Sequence, residues 1–406
     1  MIISNSYAEP TLRTRSGKSP KVLLFLEAVS VNGVAKSLLR LCDTLATNWS
    51  SPPVSISVAT FHRGVLTGND SPNAFVEAVR KRGIRTHVIP ERHRFDHQLF
   101  SSVRALIQHA SPDVVQTNNV KSHFLVKAAH VEKHCPWIAF HHGYTSTDLK
   151  TKCYNQFDRW SLRSADRVVT VCEAFKSQLV AAGVSTQKVR IVHNAGTVMP
   201  SAPTSDLRDL KLRLGIQNDE TVLLSVGRLS REKGHADLIA AVNWLRTLRP
   251  ALNFKLVVAG FGPEHARLEA ATNRLALRSR VVFACSEPDI LPFYGIADVF
   301  VLPSHSEGSP HVIFEAMGSS VPIVATCVGG IPEILQNGKT AVLAAPRQPK
   351  LLASAIAHML DSKEDAQKNA SRAKQVLEKK YSPEIYARSL LGIYAEVLRH
   401  RIGVVS

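Results

Sequence analysis

ADVFVLPSHSEGSPHVIFEAMGSSVPIVAT, residues 297–326, reads as a strand, a loop, a helix and a second strand. DVFVLP (298–303) and PIVAT (322–326) are apolar without alternation, as strands buried on both faces of a parallel sheet must be. Proline is tolerated best at a first helical position, so the helix is expected to begin at Pro310. That start leaves Glu307 in the loop and puts Glu315 on the helix.

The same pattern repeats outward in both directions. VLLFL (22–26), PVSISVAT (53–60), RTHVIP (85–90), PDVVQT (112–117) and DRVVTV (166–171) precede it, and TVLLSVG (221–227) and KLVVAG (255–260) lie nearer. Amphipathic stretches such as AKSLLRLCDTLA (35–46) and HADLIAAVNWLRTL (235–248) separate them. Alternating strands and helices predict doubly wound α/β domains, and 406 residues exceed what one core usually organises. Proline, serine and threonine displace apolar residues in NAGTVMPSAPTSDLRD (194–209), the best linker candidate. After about residue 350 the pattern is helical, as expected of helices that close over a sheet.

Composition narrows the function classes. Apolar content of 45% supports packed cores, and no run approaches the roughly 18 apolar residues that a membrane span needs. The first twenty residues are polar and lack the apolar region of a signal peptide, so a cytoplasmic chain is expected. Cys42, Cys135, Cys153, Cys172, Cys285 and Cys327 are scattered, with neither metal-site spacing nor a disulfide framework, and read as free thiols. N-x-S triplets at Asn48, Asn69 and Asn369 carry no weight without a secretory signal. Fifty basic residues against 33 acidic leave a net charge of +17. Residues 1–200 hold 25 basic and 13 acidic residues, so that half carries +12 of the excess. A field of this sign attracts anionic lipid, nucleic acid or phosphorylated small molecules alike. VRKRGIRTHVIPERHR (79–94) is a candidate patch, although helix-end cations followed by an ordinary strand would read the same way.

In open parallel sheets, ligands sit outside the carboxyl ends of the strands. Four post-strand loops here carry glycine, charge or both. GRLSREKGH (227–235) sets Arg228 and Lys233 five positions apart at a strand end, where a guanidinium fork and an ammonium can hold a diphosphate. A solvated loop with Arg231 and Glu232 pairing locally would look the same. Gly260-Phe261-Gly262 matches only part of a dinucleotide fingerprint, and Gly338-Lys339-Thr340 lacks the earlier glycine of a P-loop, where Glu333 stands. Were Glu307 and Glu315 on one helix, about 12 Å of rise and some 80° of rotation would part them, too far for the roughly 5 Å carboxyl pair of a retaining glycosidase. Split between loop and helix, they face different parts of one ligand. A nucleotide sugar suits that arrangement: helix-start amides attract phosphate, Glu307 accepts from sugar hydroxyls and Glu315 from ribose. The alternatives are a helix-surface glutamate for Glu315 and a dipole-complementing charge for Glu307.

VGRLSREKGHADLI (226–239), VVAGFGPE (257–264), ADVFVLPSHSEGSPHVIFEAM (297–317), VPIVAT (321–326) and GGIPEIL (329–335) resemble, in order, the family 4 glycosyltransferases. NGVAKSLLRL (32–41), HHG (141–143), RSADRVVTVCEAFKSQL (163–179) and VHN (192–194) extend the resemblance more loosely into the first half. It implies the GT-B fold, two Rossmann-like domains facing each other across a cleft with closing C-terminal helices. The implied domains are an acceptor-side domain (1–200), a nucleotide-sugar domain (201–380) and a final helix (381–406) packing back toward the first. It further implies retaining, metal-independent transfer of a sugar from a nucleoside-diphosphate sugar to a hydroxyl acceptor, in cell-surface glycan, polysaccharide or glycolipid synthesis. No D-x-D triplet occurs, and no cofactor or metal is expected.

By the same resemblance, Arg228 and Lys233 bind the diphosphate, Glu307 contacts the transferred sugar, Glu315 the ribose, and His142 lines the reacting centre. A histidine that merely anchors its loop would serve as well at position 142. Gly33, Gly260, Gly308, Ser309, His311 and Val312 complete the implied donor contacts. Expected partners are the donor, a glycan, glycolipid or small-molecule acceptor, and an anionic membrane surface at the inner face of the membrane. Nucleic acid is not among them. Several positions depart from the family. Asn32-Gly33 replaces paired glycines, and the turn is expected to survive because asparagine can enter the left-handed region. Asn194-Ala195-Gly196-Thr197 stands where N-G-V-D is common, and Ser320 and Ala341 replace glycines. A nucleotide-sugar epimerase of the same architecture and a non-catalytic nucleotide-sugar-binding protein remain competing readings.

Overall fold

A computed structural model of the chain describes residues 12, 17–63, 73–93, 96–143, 149–285 and 289–402. Asn69 and Arg94, named above, and most of the first sixteen residues lie outside them. Two compact units emerge, Met1–His193 with Pro383–Ser406, and Asn194–Ser382.

The first unit is built on seven parallel strands: β1 (Lys21–Phe25), β2 (Ser55–Arg63), β3 (Arg85–Glu91), β4 (Val114–Thr117), β5 (Trp137–His141), β6 (Arg167–Thr170) and β7 (Val189–Ile191). Their spatial order is β3-β2-β1-β4-β5-β6-β7, so the winding reverses between β1 and β4. The second unit has six parallel strands: β8 (Thr221–Val226), β9 (Phe254–Ala259), β10 (Val281–Ala284), β11 (Val299–Leu302), β12 (Ile323–Thr326) and β13 (Val342–Ala344). Their order is β10-β9-β8-β11-β12-β13, with the reversal between β8 and β11. Each sheet is therefore a Rossmann-like, doubly wound sheet.

Consecutive residues of β8 show why its apolar run does not alternate. Val222, Leu224 and Val226 enter a core with Phe314, Met317 and Leu377. Leu223 enters the opposite core with Leu238, Val242 and Ile356. Both faces of the strand are covered, so apolar side chains are required at every position.

The helix Pro383–Ile402 belongs to the first unit and packs beside the helix Gly33–Thr47. A buried polar chain fastens it to the sheet. Tyr394 Oη donates to Gln116 Oε1 (2.8 Å), Gln116 Nε2 donates to Asn118 Oδ1 (2.9 Å), and Asn118 Nδ2 donates to the Phe25 carbonyl (3.0 Å). One hydroxyl thus connects the end of the chain to β4 and, through Asn118, to β1. Nearer the edge, Glu396 accepts from Arg167 (2.8 Å) and from Arg190, and these cations hold its carboxyl below the usual range against the opposing effect of burial.

Tyr394→Phe keeps the packing and leaves the Gln116 acceptor unsatisfied in the core, so stability of the first unit should fall by about 1–3 kcal/mol. Chemical denaturation followed on that unit checks it; an unchanged midpoint would show that the chain of hydrogen bonds holds nothing.

Candidate functional site

The loops after β8 and β11 flank the reversal of the second sheet, and those after β9 and β12 lie beside them. Glycines let these loops interlock. Gly234 takes a left-handed backbone (φ 66°), and a Cβ there would lie 2.0 Å from the Pro303 carbonyl at the end of β11. Gly329 (φ 53°) backs onto the Glu307 carbonyl, where a Cβ would come within 1.7 Å. Gly330 N donates to that same carbonyl (3.2 Å). Gly260 stands in the same relation to the Gly227 carbonyl. No side chain larger than hydrogen fits at these contacts, and the loop backbones are thereby fixed against one another.

Within this frame Lys233 Nζ donates to Glu307 Oε1 (2.7 Å), and Ser304 Oγ donates to the same oxygen (2.7 Å). Ser304 is fully buried and is held in turn by Thr326, whose Oγ1 donates to the Ser304 carbonyl (2.5 Å). Glu307 is 7% exposed, so its charge requires these partners. Arg228 stands exposed, and among the described residues no carboxylate pairs with it. Arg231 does not pair with Glu232, as one reading of the sequence allowed: Arg231 meets Glu264 (3.4 Å), and Glu232 accepts from Ser230 (2.5 Å). His305 Nε2 lies 2.7 Å from Asp237 Oδ2, tying the β11 loop to the helix His235–Leu248.

Behind Lys233 sits His235, buried, with no hydrogen-bond partner for Nδ1 among the described residues. Burial, followed by the Lys233 ammonium, pushes its pKa down to about 4 from the ordinary 6.5. Nothing in the sequence pattern marked it beyond its place beside the charged loop.

The helix of the opening stretch runs His311–Gly318, with Pro310 at the capping position one residue earlier than its expected place inside the helix. Glu315 Oε2 accepts from Tyr294 Oη (3.0 Å), which also lies 3.3 Å from the Val312 carbonyl. Burial first, and the Glu315 charge second, push the Tyr294 hydroxyl well above its ordinary pKa, so it remains a donor. His311 and Gly308 are partly exposed at the helix start. Ser309 is occupied: its Oγ accepts from Asn194 N (2.9 Å) and its carbonyl from Asn194 Nδ2 (2.7 Å). The segment expected to be a linker thus begins by docking on this helix, before Thr204–Arg213 forms a helix of its own. At the other end, Ser320 N donates to the Met317 carbonyl and Val321 N to that of Ala316, a Schellman closure whose left-handed residue is Ser320 (φ 55°). Ala341, the other replaced glycine, is buried outside the left-handed region.

Gly33 and His142 belong to the first unit. Gly33 opens the helix Gly33–Thr47, and Asn32 corrects the expectation made for it: its backbone is extended (φ −79°, ψ −178°) rather than left-handed. The turn survives because the Asn32 side chain accepts from Ala35 N (3.0 Å) and caps the helix. His142 follows β5 and stacks on Phe140, with ring centroids 4.4 Å apart. Beside it lies a group that the sequence did not reveal. Asp158, fully buried, accepts from His123 Nδ1 (2.6 Å) and lies 3.4 Å from His141 Nδ1. Burial would raise its pKa, yet the two histidines outweigh burial and hold it well below the usual carboxylate range.

These doubly wound units have the GT-B architecture of known glycosyltransferases. A glycosyltransferase of Rickettsia africae superposes with a TM-score of 0.77 at 17% identity, covering 94% of this chain and 99% of that one. Anabaena HepE, solved in complex with UDP-glucose, superposes with a TM-score of 0.74 at 19% identity, covering 95% and 100%. The glycogen synthase of Mycobacterium tuberculosis is 27% identical over 297 residues, 72% of this chain and 67% of the relative. Residues 33–195 match the glycosyl transferase 4-like domain, and residues 208–376 match the glycosyl transferases group 1. The chain belongs to family 4 of the glycosyltransferases.

Two expectations follow from these environments. His235 is neutral when folded, and its folded pKa lies below the unfolded value, so stability is present above pH 6.5 and is lost as pH falls toward 4. The loss attributable to this residue reaches up to about 3 kcal/mol, and the difference between wild type and His235→Gln in unfolding free energy across that window should shrink accordingly. A pH-independent difference would contradict the assignment. Ser320→Gly relieves the left-handed serine and should raise stability by about 1 kcal/mol, read as a higher thermal midpoint.

Proposed function

We propose that this glycosyltransferase moves a sugar from a nucleoside-diphosphate sugar to a hydroxyl acceptor with retention at the anomeric carbon. The observation that carries the reading is the Lys233–Glu307 pair, held by Ser304 at the reversal of the second sheet with the exposed Arg228 on the same loop as Lys233. A crevice at that topological position is where doubly wound sheets take nucleotides.

In this proposal Arg228 and Lys233 hold the diphosphate and stabilise the charge that grows on it as the glycosidic bond breaks. Glu307 uses its second carboxyl oxygen for a sugar hydroxyl, since Lys233 and Ser304 both address Oε1. Glu315, its carboxyl fixed by Tyr294, accepts from the ribose. Gly33, Gly260, Gly308, His311 and Val312 supply close backbone approach, whereas Ser309 acts by holding the loop through Asn194. His142 is assigned to the reacting sugar. A phosphate oxygen of the departing diphosphate takes the acceptor proton, so no side-chain nucleophile is needed. No metal is part of this proposal, and activity should persist in chelator. The acceptor is proposed to be a glycan or glycolipid.

Arg228→Ala and Lys233→Ala should each lower kcat/KM by about 10²–10³, Arg228→Ala without loss of stability and Lys233→Ala with some, because it leaves the buried Glu307 charge to Ser304 alone. Near-normal turnover in either variant would remove that residue from the mechanism. A thermal-shift panel of nucleoside diphosphates and their sugars, beginning with UDP-glucose, should raise the midpoint of the wild type and raise it less in Lys233→Ala. Product anomeric configuration by NMR tests retention; an inverted product, or an epimerised donor without any acceptor, would overturn the proposal.

A further inference from the structure

Three helices lie side by side on one face of the first sheet: Gln98–Ala110, Val120–Ala128 and Leu149–Leu162. Across them runs a continuous chain of aromatic rings. Phe100 meets Phe124 edge to face (5.9 Å), Phe124 meets Phe157 in the same way (5.8 Å), and Trp160 leans on Phe124 at 6.3 Å. The two outermost members are not covered: Phe157 is 56% exposed and Trp160 49%. A surface helix ordinarily turns such residues inward, and contiguous exposed apolar area marks an interaction surface.

The charge on the same helices is one-sided. Among the side chains described on these helices the basic ones are Arg104, Lys127 and Arg159, besides Lys121, which is engaged by Glu27 and Glu91, and the one acid is Asp158, buried between His123 and His141. Lys127 places its ammonium 5.6 Å from the Trp160 ring while also reaching Glu132. A groove of about 460 Å³ continues the face between the first two helices, lined by His97, Phe100, the exposed Arg104 and Ala128 among others. Half-exposed indole and phenyl rings rimmed by cations combine an apolar body with an electropositive edge, which matches the boundary between acyl chains and anionic headgroups. A second copy of the chain is a poorer occupant, because a two-fold contact would bring two faces of the same positive sign together. By contrast, the basic stretch 79–94 directs Arg82 onto Asp43 through two hydrogen bonds (2.7 and 3.0 Å), so that guanidinium is already engaged.

We infer that the aromatic and basic face formed by these three helices docks the protein on an anionic lipid bilayer. The inference is independent of the donor site, and the variants below touch none of its residues.

Co-sedimentation of the full chain with phosphatidylcholine vesicles, with and without about a third of phosphatidylglycerol, tests it. Binding is expected only to the anionic vesicles and should weaken steeply as salt rises. Phe157→Ser should lower the partition coefficient about tenfold, and Arg104→Glu should lower it comparably, without loss of thermal stability. Brominated lipid should quench tryptophan emission in the wild type, and Trp160→Phe should abolish the quenching although Trp49, Trp137 and Trp244 remain. Equal binding to both vesicle types, quenching that survives Trp160→Phe, or a solution dimer that Phe157→Ser dissociates would each overturn the inference, the last by assigning the face to a second copy.

Discussion

A carboxylate buried to the extent of Glu307 is costly unless its charge is answered on the spot, and much of the second unit's architecture can be understood as the answer. Lys233 arrives from the loop after β8, Ser304 from the end of β11, and Thr326 from the end of β12. Three neighbouring strands must therefore terminate in register for one oxygen to be satisfied. Parallel pairing of β8 with β11 and of β11 with β12 supplies that register. The carboxylate is consequently positioned by the sheet itself, and its geometry inherits the rigidity of the core beneath.

Close loop packing is the second half of that constraint. Gly234 against Pro303 and Gly329 against Glu307 are contacts of backbone with backbone, so the loops cannot separate without opening the ends of the strands. Such contacts leave little freedom for sequence change, whereas the helix ends around them tolerate substitution at a cost in strain. Ser320 shows the difference: it occupies a left-handed position, partly exposed at the end of its helix, with its closing hydrogen bonds intact, whereas a Cβ at position 234 would strike the Pro303 carbonyl.

Legibility in the sequence followed the same physical division. Apolar runs long enough to be covered on both faces announced nine strands, and the helix His235–Leu248 coincides with its periodic stretch. The strands that escaped, β5, β7, β10 and β13, are short or mix aromatic and polar residues with the apolar ones, as in WIAFH and VRI. Charged loops at strand ends pointed to Lys233 and Glu307 separately, but 74 residues part them, and no local pattern encodes their contact. Tyr294 reads as an ordinary core aromatic until its hydroxyl is seen on Glu315. His123 and Asp158, 35 positions apart, belong to the same category. Asn32 failed for another reason: asparagine serves both left-handed turns and helix caps, and residue type alone does not choose between them.

Each sheet reverses its winding once, so topology alone offers two sites of the kind that takes a nucleotide. Charge balance separates them. Around the first reversal, Lys121 lies between Glu27 (3.0 Å) and Glu91 (2.7 Å), and Arg63 meets Glu91 (3.0 Å), giving two cations for two carboxylates. Around the second, Lys233 pairs with Glu307, while Arg228 on the same loop stands exposed with no carboxylate partner among the described residues. An anionic diphosphate entering the first would have to displace an existing partner, whereas at the second it would find Arg228 unpaired. That asymmetry is the physical ground for proposing the half of the chain with the smaller net charge, rather than the strongly basic half, as the one that takes the charged end of a donor.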